Sequence, residues 1–315
     1  MIVNYNTREL LRECLESVYR YPTKYSFEVT VVDNHSGDGS LAMVRDEFSD
    51  VKAVAMERNL GYARANNHAI REAAGRFILL LNPDTRLQPG SLDGLVDFLL
   101  DHADAGAVGC KQLDDRLRLQ LTWGKFPTLL REVVRKALHQ RLAIDGTGVR
   151  EYLESKYRVP SDVDWVAGSC LLVRREVCHE VGLLDENIFL YFEDIDWCRR
   201  IQEARWRVCY TPRTHIVHHG GASANLHQID AAVEYRASQF YFTRKWFGWT
   251  GLGVLKAFML AKALVNLARS GARYLLAAEG ARERYAALCN LLVAKRTLAL
   301  IFRRVHGPRD RAERD

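Results

Sequence analysis

Residues 77–81, Phe-Ile-Leu-Leu-Leu, form an unbroken apolar run that stops at Asn82-Pro83-Asp84. A short apolar run between turn signals reads as a strand buried on both faces. Strand and helix signals alternate around it. Ile2-Val3 opens a strand, residues 10–19 are helical, and residues 28–32 are a second strand ending at Asp33. Residues 40–48 are helical with Ser40 able to cap them, residues 51–56 form a strand, and residues 63–74 suit a helix with Gly75 at its C-cap. Ser91 is placed to cap a further helix running to His102. This rhythm predicts an α/β fold whose mostly parallel central sheet carries helices on both faces. Ligands of such sheets bind beyond the carboxyl ends of the strands. That rule singles out Asn4-Tyr5-Asn6, Asp33-Asn34 and Asn82-Pro83-Asp84.

The rhythm is lost over residues 111–160, which hold 11 Lys/Arg and 6 Asp/Glu. They are expected to form a variable, partly mobile insert with a helix over residues 129–142. The α/β pattern resumes at residues 163–173, and beyond about residue 230 the chain turns helical. With 315 residues, the expected organisation is a catalytic domain over 1–245 and a basic helical tail over 246–315.

Apolar residues at 48% and charged residues at 27% exclude a disordered or collagen-like chain. Residues 251–315 hold 13 Lys/Arg against 5 Asp/Glu, a net of +8, whereas residues 1–250 hold 32 against 34, a net of −2. The basicity therefore belongs to the tail and points to an anionic partner there. Seven cysteines without a Cys-x-x-Cys pair suit reduced thiols of the cytoplasm, not a disulfide framework or a zinc site. No signal peptide is visible. Residues 252–278 are the most apolar stretch, but Lys256, Lys262, Arg269 and Arg273 interrupt them, which disfavours a membrane span.

Four constellations can carry chemistry. Asp84, leaving a buried strand beside a proline, could hold Mg²⁺ or Mn²⁺ on a phosphate; taken alone, a strand-ending Asx-turn explains it as well. Asp33 could bind a base or ribose, or close a turn. In Phe189-Leu190-Tyr191-Phe192-Glu193-Asp194-Ile195-Asp196-Trp197, three carboxylates lie among aromatic rings. Burial there can raise a carboxyl pKa towards that of a general base, while acids also suit the first turn of a helix. One acid is expected to be a base, one to accept hydrogen bonds, and one to pair with Arg199 or Arg200. His215, His218 and His219 precede Gly220-Gly221, which would let backbone approach a phosphate; His215 alone fits a buried structural histidine. Asn59 opens a polar loop into a helix whose N-terminus could face a phosphate. There is no G-x-G-x-x-G after the first strand, no P-loop and no G-x-S-x-G elbow. A dehydrogenase, an NTPase and an α/β-hydrolase are thereby disfavoured.

In order along the chain, VNYNT (3–7), VVDNHSGDGS (31–40), NLGYARANN (59–67), LLLNPDT (79–85), VAGSCLLVRRE (166–176), GLLDENIFLYFEDIDWCRR (182–200) and VHHGGAS (217–223) resemble family 2 glycosyltransferases. These are inverting enzymes with the GT-A fold. The resemblance covers residues 1–245 and is strongest to the rhamnosyltransferase-like branch, where NPD replaces the more usual Asp-x-Asp. It implies a GT-A nucleotide-diphospho-sugar transferase fold followed by a C-terminal helical extension. It implies that Asn4, Tyr5, Asn6, Asp33, Asn59 and Asn82 bind the nucleotide. Asp84 and His218 would hold Mg²⁺ or Mn²⁺ on the diphosphate. Asp194 would be the general base with Glu193 beside it, and Trp165, Gly168 and Ser169 would line the donor and acceptor pocket. Asn82 departs from the acid of most relatives, so Asp84 is expected to act without it. The resemblance also implies a few more strand residues ahead of VNYN than this chain carries. The implied substrates are a nucleotide-sugar, dTDP-L-rhamnose before a UDP-hexose, and a saccharide or polyprenyl-linked saccharide acceptor in cell-surface polysaccharide assembly.

Lys262, Asn266, Arg269 and Arg273, spaced 4, 3 and 4, share one helix face, with Phe258, Leu264, Val265 and Leu275 largely away from it. Such a helix suits the surface of an anionic membrane, here the cytoplasmic face; Arg303-Arg304 add charge. A helix packed on the protein or on a partner in a homodimer would show the same pattern. Nucleic acid is disfavoured, since no base-reading motif accompanies the charge. Two further classes compete. A nucleotidyltransferase would want a Gly-rich basic phosphate loop, which VNYNTREL lacks. A silent, membrane-bound nucleotide-sugar-binding module would not need Asp84, Glu193, Asp194 and His218 together.

Overall fold

The computed structural model describes residues 1–143, 147–220, 228–276 and 281–302. Contacts divide the chain into two compact units: Met1–Asp185 with Glu193–Ser223, and Glu186–Phe192 with Ala224–Asp315.

The first unit begins β1 (Ile2–Asn4), α1 (Arg8–Arg20), β2 (Val29–Asp33), α2 (Ser40–Glu47), β3 (Val51–Ala55), α3 (Tyr62–Glu72), β4 (Phe77–Leu81), β5 (Thr85–Leu87) and α4 (Ser91–Asp101). It continues with β6 (Ala105–Leu113), β7 (Trp123–Gly124), α5 (Leu129–Ala143), α6 (Thr147–Lys156), β8 (Ser161–Asp162), β9 (Trp165–Val166), β10 (Cys170–Arg174), α7 (Arg175–Val181), α8 (Glu193–Glu203) and β11 (Arg207–His218). The main sheet runs β3-β2-β1-β4-β10-β6-β11-β5, with β8 on β11. Strands β3, β2, β1 and β4 are mutually parallel, as are β6 and β11. β10 inserts antiparallel between β4 and β6, and β5 closes antiparallel on β11.

Side-chain alternation along these strands separates two apolar cores. Ile78, Leu80, Leu171 and Val173 face one core, with Ala63 and Ile70 of α3, Val177 of α7 and Trp197 of α8. Leu81, Cys170 and Leu172 face the other, with Leu11 and Leu15 of α1, Met43 of α2 and Leu95 and Leu99 of α4. Helices thus cover both faces. The segment over 111–160 is packed onto the first core through Leu119, Leu121, Trp123, Leu142 and Leu153. All seven cysteines are free.

Three local expectations are corrected. Helix α3 ends with Ala73 at its C-cap in an extended conformation, so Gly75 lies beyond the cap. Ser40 and Ser91 are the first helical residues, not caps; Gly39 and Gly90, at φ 80° and 74°, hold the N-cap positions. The serine hydroxyls bond elsewhere, Ser40 Oγ to Asp38 Oδ1 at 2.5 Å and Ser91 Oγ to the His215 carbonyl at 2.7 Å. A turn that needs the left-handed region selects glycine at the cap, whatever the next side chain could do.

In the second unit, residues 186–192 lie with α9 (Gln228–Leu276), which is interrupted at Gly248 (φ 65°), and α10 (Ala281–Phe302). Phe192 packs on Tyr235 and Phe242, and Ser238 Oγ donates to the Leu190 carbonyl. Within α9, residues 230–270 are long and apolar enough to cross a membrane by length and composition. Lys256, Lys262 and Arg269 are spaced widely enough to leave one such window, while the break at Gly248 falls inside the same stretch. Arg303, Arg304, Gly221, Ala222 and Ser223 lie outside the described residues, as does the Arg273 side chain.

Candidate active site

The strand ends converge as the α/β pattern requires. Asn4, at the end of β1, is fully buried. Its Nδ2 donates to Asp33 Oδ1 and to Ser36 Oγ, both at 3.0 Å, and its Oδ1 accepts from Thr7 Oγ1 at 2.7 Å. Asp33 Oδ2 accepts the Ser36 N–H. Asn6, at φ 53°, accepts the Gly37 N–H on its Oδ1. Asn4 and Asp33 therefore hold each other and the 33–37 turn, while Tyr5 stays half-buried beside them. Asn34 donates to Asn59 Oδ1 at 2.8 Å and accepts the Leu60 N–H, so it ties the 59–61 loop to the end of β2.

Asn82 leaves β4 with its N–H on the Ser169 carbonyl, and its own carbonyl accepts from Thr85 Oγ1. Asp84 follows and is buried. The pairing of β5 with β11 sets His218 opposite Thr85. That register carries His218 to Asp84 across more than a hundred residues of sequence: Nε2 lies 3.4 Å from Asp84 Oδ1. The same Nε2 is buried and makes no hydrogen bond among the described residues. On the other side of the ring, Nδ1 meets Gln120 Oε1 at 2.8 Å, and Gln120 Nε2 donates to the His218 carbonyl at 2.7 Å. With its amide NH₂ committed to that carbonyl, Gln120 can only accept at Oε1, so Nδ1 carries the proton. Nε2 is then the ring nitrogen turned to the Asp84 side. Two ligand atoms each about 2.1 Å from an octahedral Mg²⁺ lie about 3 Å apart, so the pair fits such an ion. His219 N–H donates to the Asp84 carbonyl, and His219 Nδ1 meets Asp115 Oδ2 at 2.6 Å. His215 is exposed, not buried as its sequence suggested. Among the described residues, no group of three His, Cys, Asp or Glu side chains gathers as a metal cluster.

The acids of α8 separate by environment. Asp196 is fully buried and pairs with Arg200 Nε at 3.0 Å; Arg200 also donates to the Val181 and Leu183 carbonyls. Asp194 is half-buried and accepts the Gly168 N–H on Oδ2 at 2.9 Å and the Ile195 N–H on Oδ1 at 2.8 Å. Glu193 is 5% exposed, and its Oε2 has no hydrogen-bond partner among the described residues. Burial, and then the neighbouring Asp194 charge, push its pKa well above the ordinary carboxyl value.

Tyr62 joins the two halves. Its hydroxyl donates to the Gly168 carbonyl at 2.8 Å. Burial, then Glu193 and Asp194, and more weakly Asp84, drive its pKa well above the ordinary phenol value. A β-carbon at residue 168 would come within 3.1 Å of that hydroxyl, so glycine permits the approach. Trp165 and Ser169 point into the fold instead. Trp165 is buried with its indole N–H on the Lys125 carbonyl, and Ser169 Oγ donates to Gln112 Oε1. Gln120 and Tyr62 escaped the sequence reading, whereas Asn34 was among the strand-end groups it singled out. Tyr62 lies inside a singled-out motif; a lone glutamine in a loop carries no such mark. An apolar cavity of about 360 Å³, lined by Met1, Phe27, Phe77 and Leu95 among others, includes none of these polar side chains.

Residues 1–182 match the model of glycosyl transferase family 2. The chain is 29% identical over 242 residues to an N-acetylglucosaminyl-diphospho-decaprenol L-rhamnosyltransferase of Mycobacterium tuberculosis, covering 72% of this chain and 78% of that protein. It is 31% identical over 169 residues to rhamnosyltransferase WbbL of Escherichia coli, covering 50% of this chain and 61% of that protein. A mannosyltransferase from Pyrobaculum calidifontis, solved with GDP-Man and Mn²⁺, shares the fold at a TM-score of 0.55 and 18% identity, over 96% of this chain and 86% of the other. The strand-end polar groups, the Asp84–His218 pair and the acids of α8 thus sit on the fold that these sequences share, and the chain belongs to glycosyl transferase family 2.

Proposed function

We propose that this chain is an inverting, divalent-metal-dependent transferase that moves L-rhamnose from dTDP-L-rhamnose to a hydroxyl of a polyprenyl-linked saccharide during cell-surface polysaccharide assembly. The observation that carries this reading is geometric: the Asp84–His218 pair follows Asn82, whose N–H bonds the Ser169 carbonyl, and the neighbouring Gly168 N–H holds the half-buried Asp194. The named activities of the M. tuberculosis and E. coli relatives support the sugar.

Asp84 and His218 would hold Mg²⁺ or Mn²⁺, which would neutralise charge developing on the departing diphosphate. Asn6 and Tyr5 lie at the strand ends where the nucleotide would sit, over the turn that Asn4 and Asp33 stiffen. Asn59 and Asn82 flank the same edge. Asp194 is the base because it is the half-buried acid; Glu193 is enclosed and holds its proton more tightly. As the acceptor oxygen bonds to the anomeric carbon, its proton passes to an Asp194 carboxylate oxygen. The bond from that carbon to the donor's phosphate oxygen breaks, and its electron pair leaves with the nucleoside diphosphate. One displacement from the opposite face inverts the configuration. The Gly168 N–H keeps the Asp194 carboxylate in register, and Tyr62 holds the carbonyl of the same glycine. The basicity of the second unit supports a position at the cytoplasmic face of an anionic membrane, where a polyprenyl-linked acceptor would be met.

Thermal-shift binding of dTDP, UDP, GDP and CDP, each with and without Mn²⁺, tests the donor side. A Mn²⁺-dependent rise with dTDP is expected. A rise confined to UDP would redirect the donor, and no rise in folded protein would reject the transferase reading.

A further inference from the structure

Beyond the interruption at Gly248, helix α9 exposes an apolar stripe. Val254, Phe258, Ala261, Val265 and Ala268 are all exposed and spaced 4, 3, 4 and 3, which places them on one face. Val254 is 54% exposed, Phe258 40% and Val265 48%, with Leu264 beside them at 52%. The protein-facing side lies opposite, at the buried Leu252, Leu255, Met259, Ala263 and Ser270. At the start of the stripe Trp249 is 66% exposed, and the Arg244 guanidinium stacks 4.2 Å from its ring centre. Phe247 is also exposed. Lys262, Asn266 and Arg269 run along one edge of the stripe, about a quarter-turn round the helix.

The charge pattern chooses the occupant. From residue 235 to residue 278 the sequence has no Asp or Glu and seven Lys/Arg. A second copy of this face would bring like charges together, whereas anionic headgroups complement it. Tryptophan beside arginine at the end of an apolar row is the side-chain set of a membrane interface. A span is disfavoured because one side of the helix is already committed to the protein.

We infer that the stretch Val254–Ala268 lies in the plane of an anionic phospholipid surface, with Val254, Phe258 and Val265 entering the acyl boundary and Lys262 and Arg269 meeting headgroups. Apolar insertion, not charge alone, holds the protein there. The inference deepens the membrane part of the function proposed above and is independent of which sugar is moved.

Flotation of the full chain with phosphatidylglycerol–phosphatidylcholine vesicles, and with phosphatidylcholine alone, tests it. The triple variant Val254→Ser, Phe258→Ser, Val265→Ser is expected to bind mixed vesicles at least about tenfold more weakly, with unchanged circular dichroism. The double variant Lys262→Gln, Arg269→Gln is expected to lose most of the preference for phosphatidylglycerol yet retain residual binding. Alkaline carbonate is expected to release the wild-type protein from membranes. Equal binding by the triple variant and wild type overturns apolar insertion while leaving a charge-held membrane reading intact. Absence of wild-type binding overturns both. Retention through carbonate overturns the in-plane arrangement in favour of a span. A wild-type dimer that the triple variant converts to monomer without vesicles assigns the stripe to a second copy and overturns the lipid inference.

Discussion

Gln120 grips His218 at two points, accepting from the ring Nδ1 through Oε1 and donating through Nε2 to the backbone carbonyl of the same residue. The grip fixes both the tautomer and the direction of the ring. A ligand oriented in this way loses affinity when its partner is removed, commonly ten- to a hundredfold. Gln120→Ala is therefore expected to weaken Mn²⁺ binding to the dTDP-bound protein by about that factor. Calorimetric titration with Mn²⁺ checks it; unchanged affinity would remove Gln120 as a positioning residue.

Asp194→Asn keeps the shape of the side chain and its hydrogen bond from the Gly168 N–H, but removes the basic carboxylate. A positioned base contributes about 10²–10⁴-fold to a rate. Transfer is expected to fall by that order while dTDP affinity holds. Parallel rate and nucleotide-binding measurements separate the two, and an equal loss of both would count against the base assignment.

The alternation of strands and helices in the first hundred residues was legible because buried parallel strands need continuous apolar runs, and Phe77–Leu81 supplies one. The polar residues that end those strands were legible for the same reason. The pairings that finish the site were not. That β10 inserts antiparallel beside β4, or that β5 aligns Thr85 with His218, depends on register between distant segments, which local patterns do not encode. Side-chain direction was equally hidden. Trp165 and Ser169 sit in a motif that suggests a pocket, yet an indole and a hydroxyl with internal acceptors turn inward. Asn4 and Asp33 also bond to each other inside the 33–37 turn, a contact between segments that local patterns do not encode.

Tyr62→Phe removes the hydroxyl that supports the Gly168 carbonyl without altering ring packing. A buried carbonyl left without its donor costs about 1–3 kcal/mol, and the Gly168 N–H on Asp194 belongs to the same glycine. The variant is expected to lower kcat several-fold at unchanged donor KM, with a comparable small loss of stability in urea. A rise in donor KM at constant kcat would place Tyr62 in nucleotide binding instead.

Glu193 makes stability depend on pH with a definite sign. Its folded pKa is raised well above the ordinary 4.5 by burial and by Asp194. Below that value, both the folded and unfolded chains hold the proton, and the group's contribution is fully present. Above it, the unfolded chain releases the proton while the folded chain retains it, so stability falls until pH passes the folded value. The slope cannot exceed about 1.4 kcal/mol per pH unit for one group. Glu193→Gln stays neutral throughout and is expected to flatten this decline, gaining on wild type as pH rises above the ordinary carboxyl range. Urea unfolding at a series of pH values measures the difference. A wild-type-minus-variant stability that does not change with pH would show that Glu193 ionises in the folded protein as it does in the unfolded chain, and would remove the reason for preferring Asp194 over it as the base.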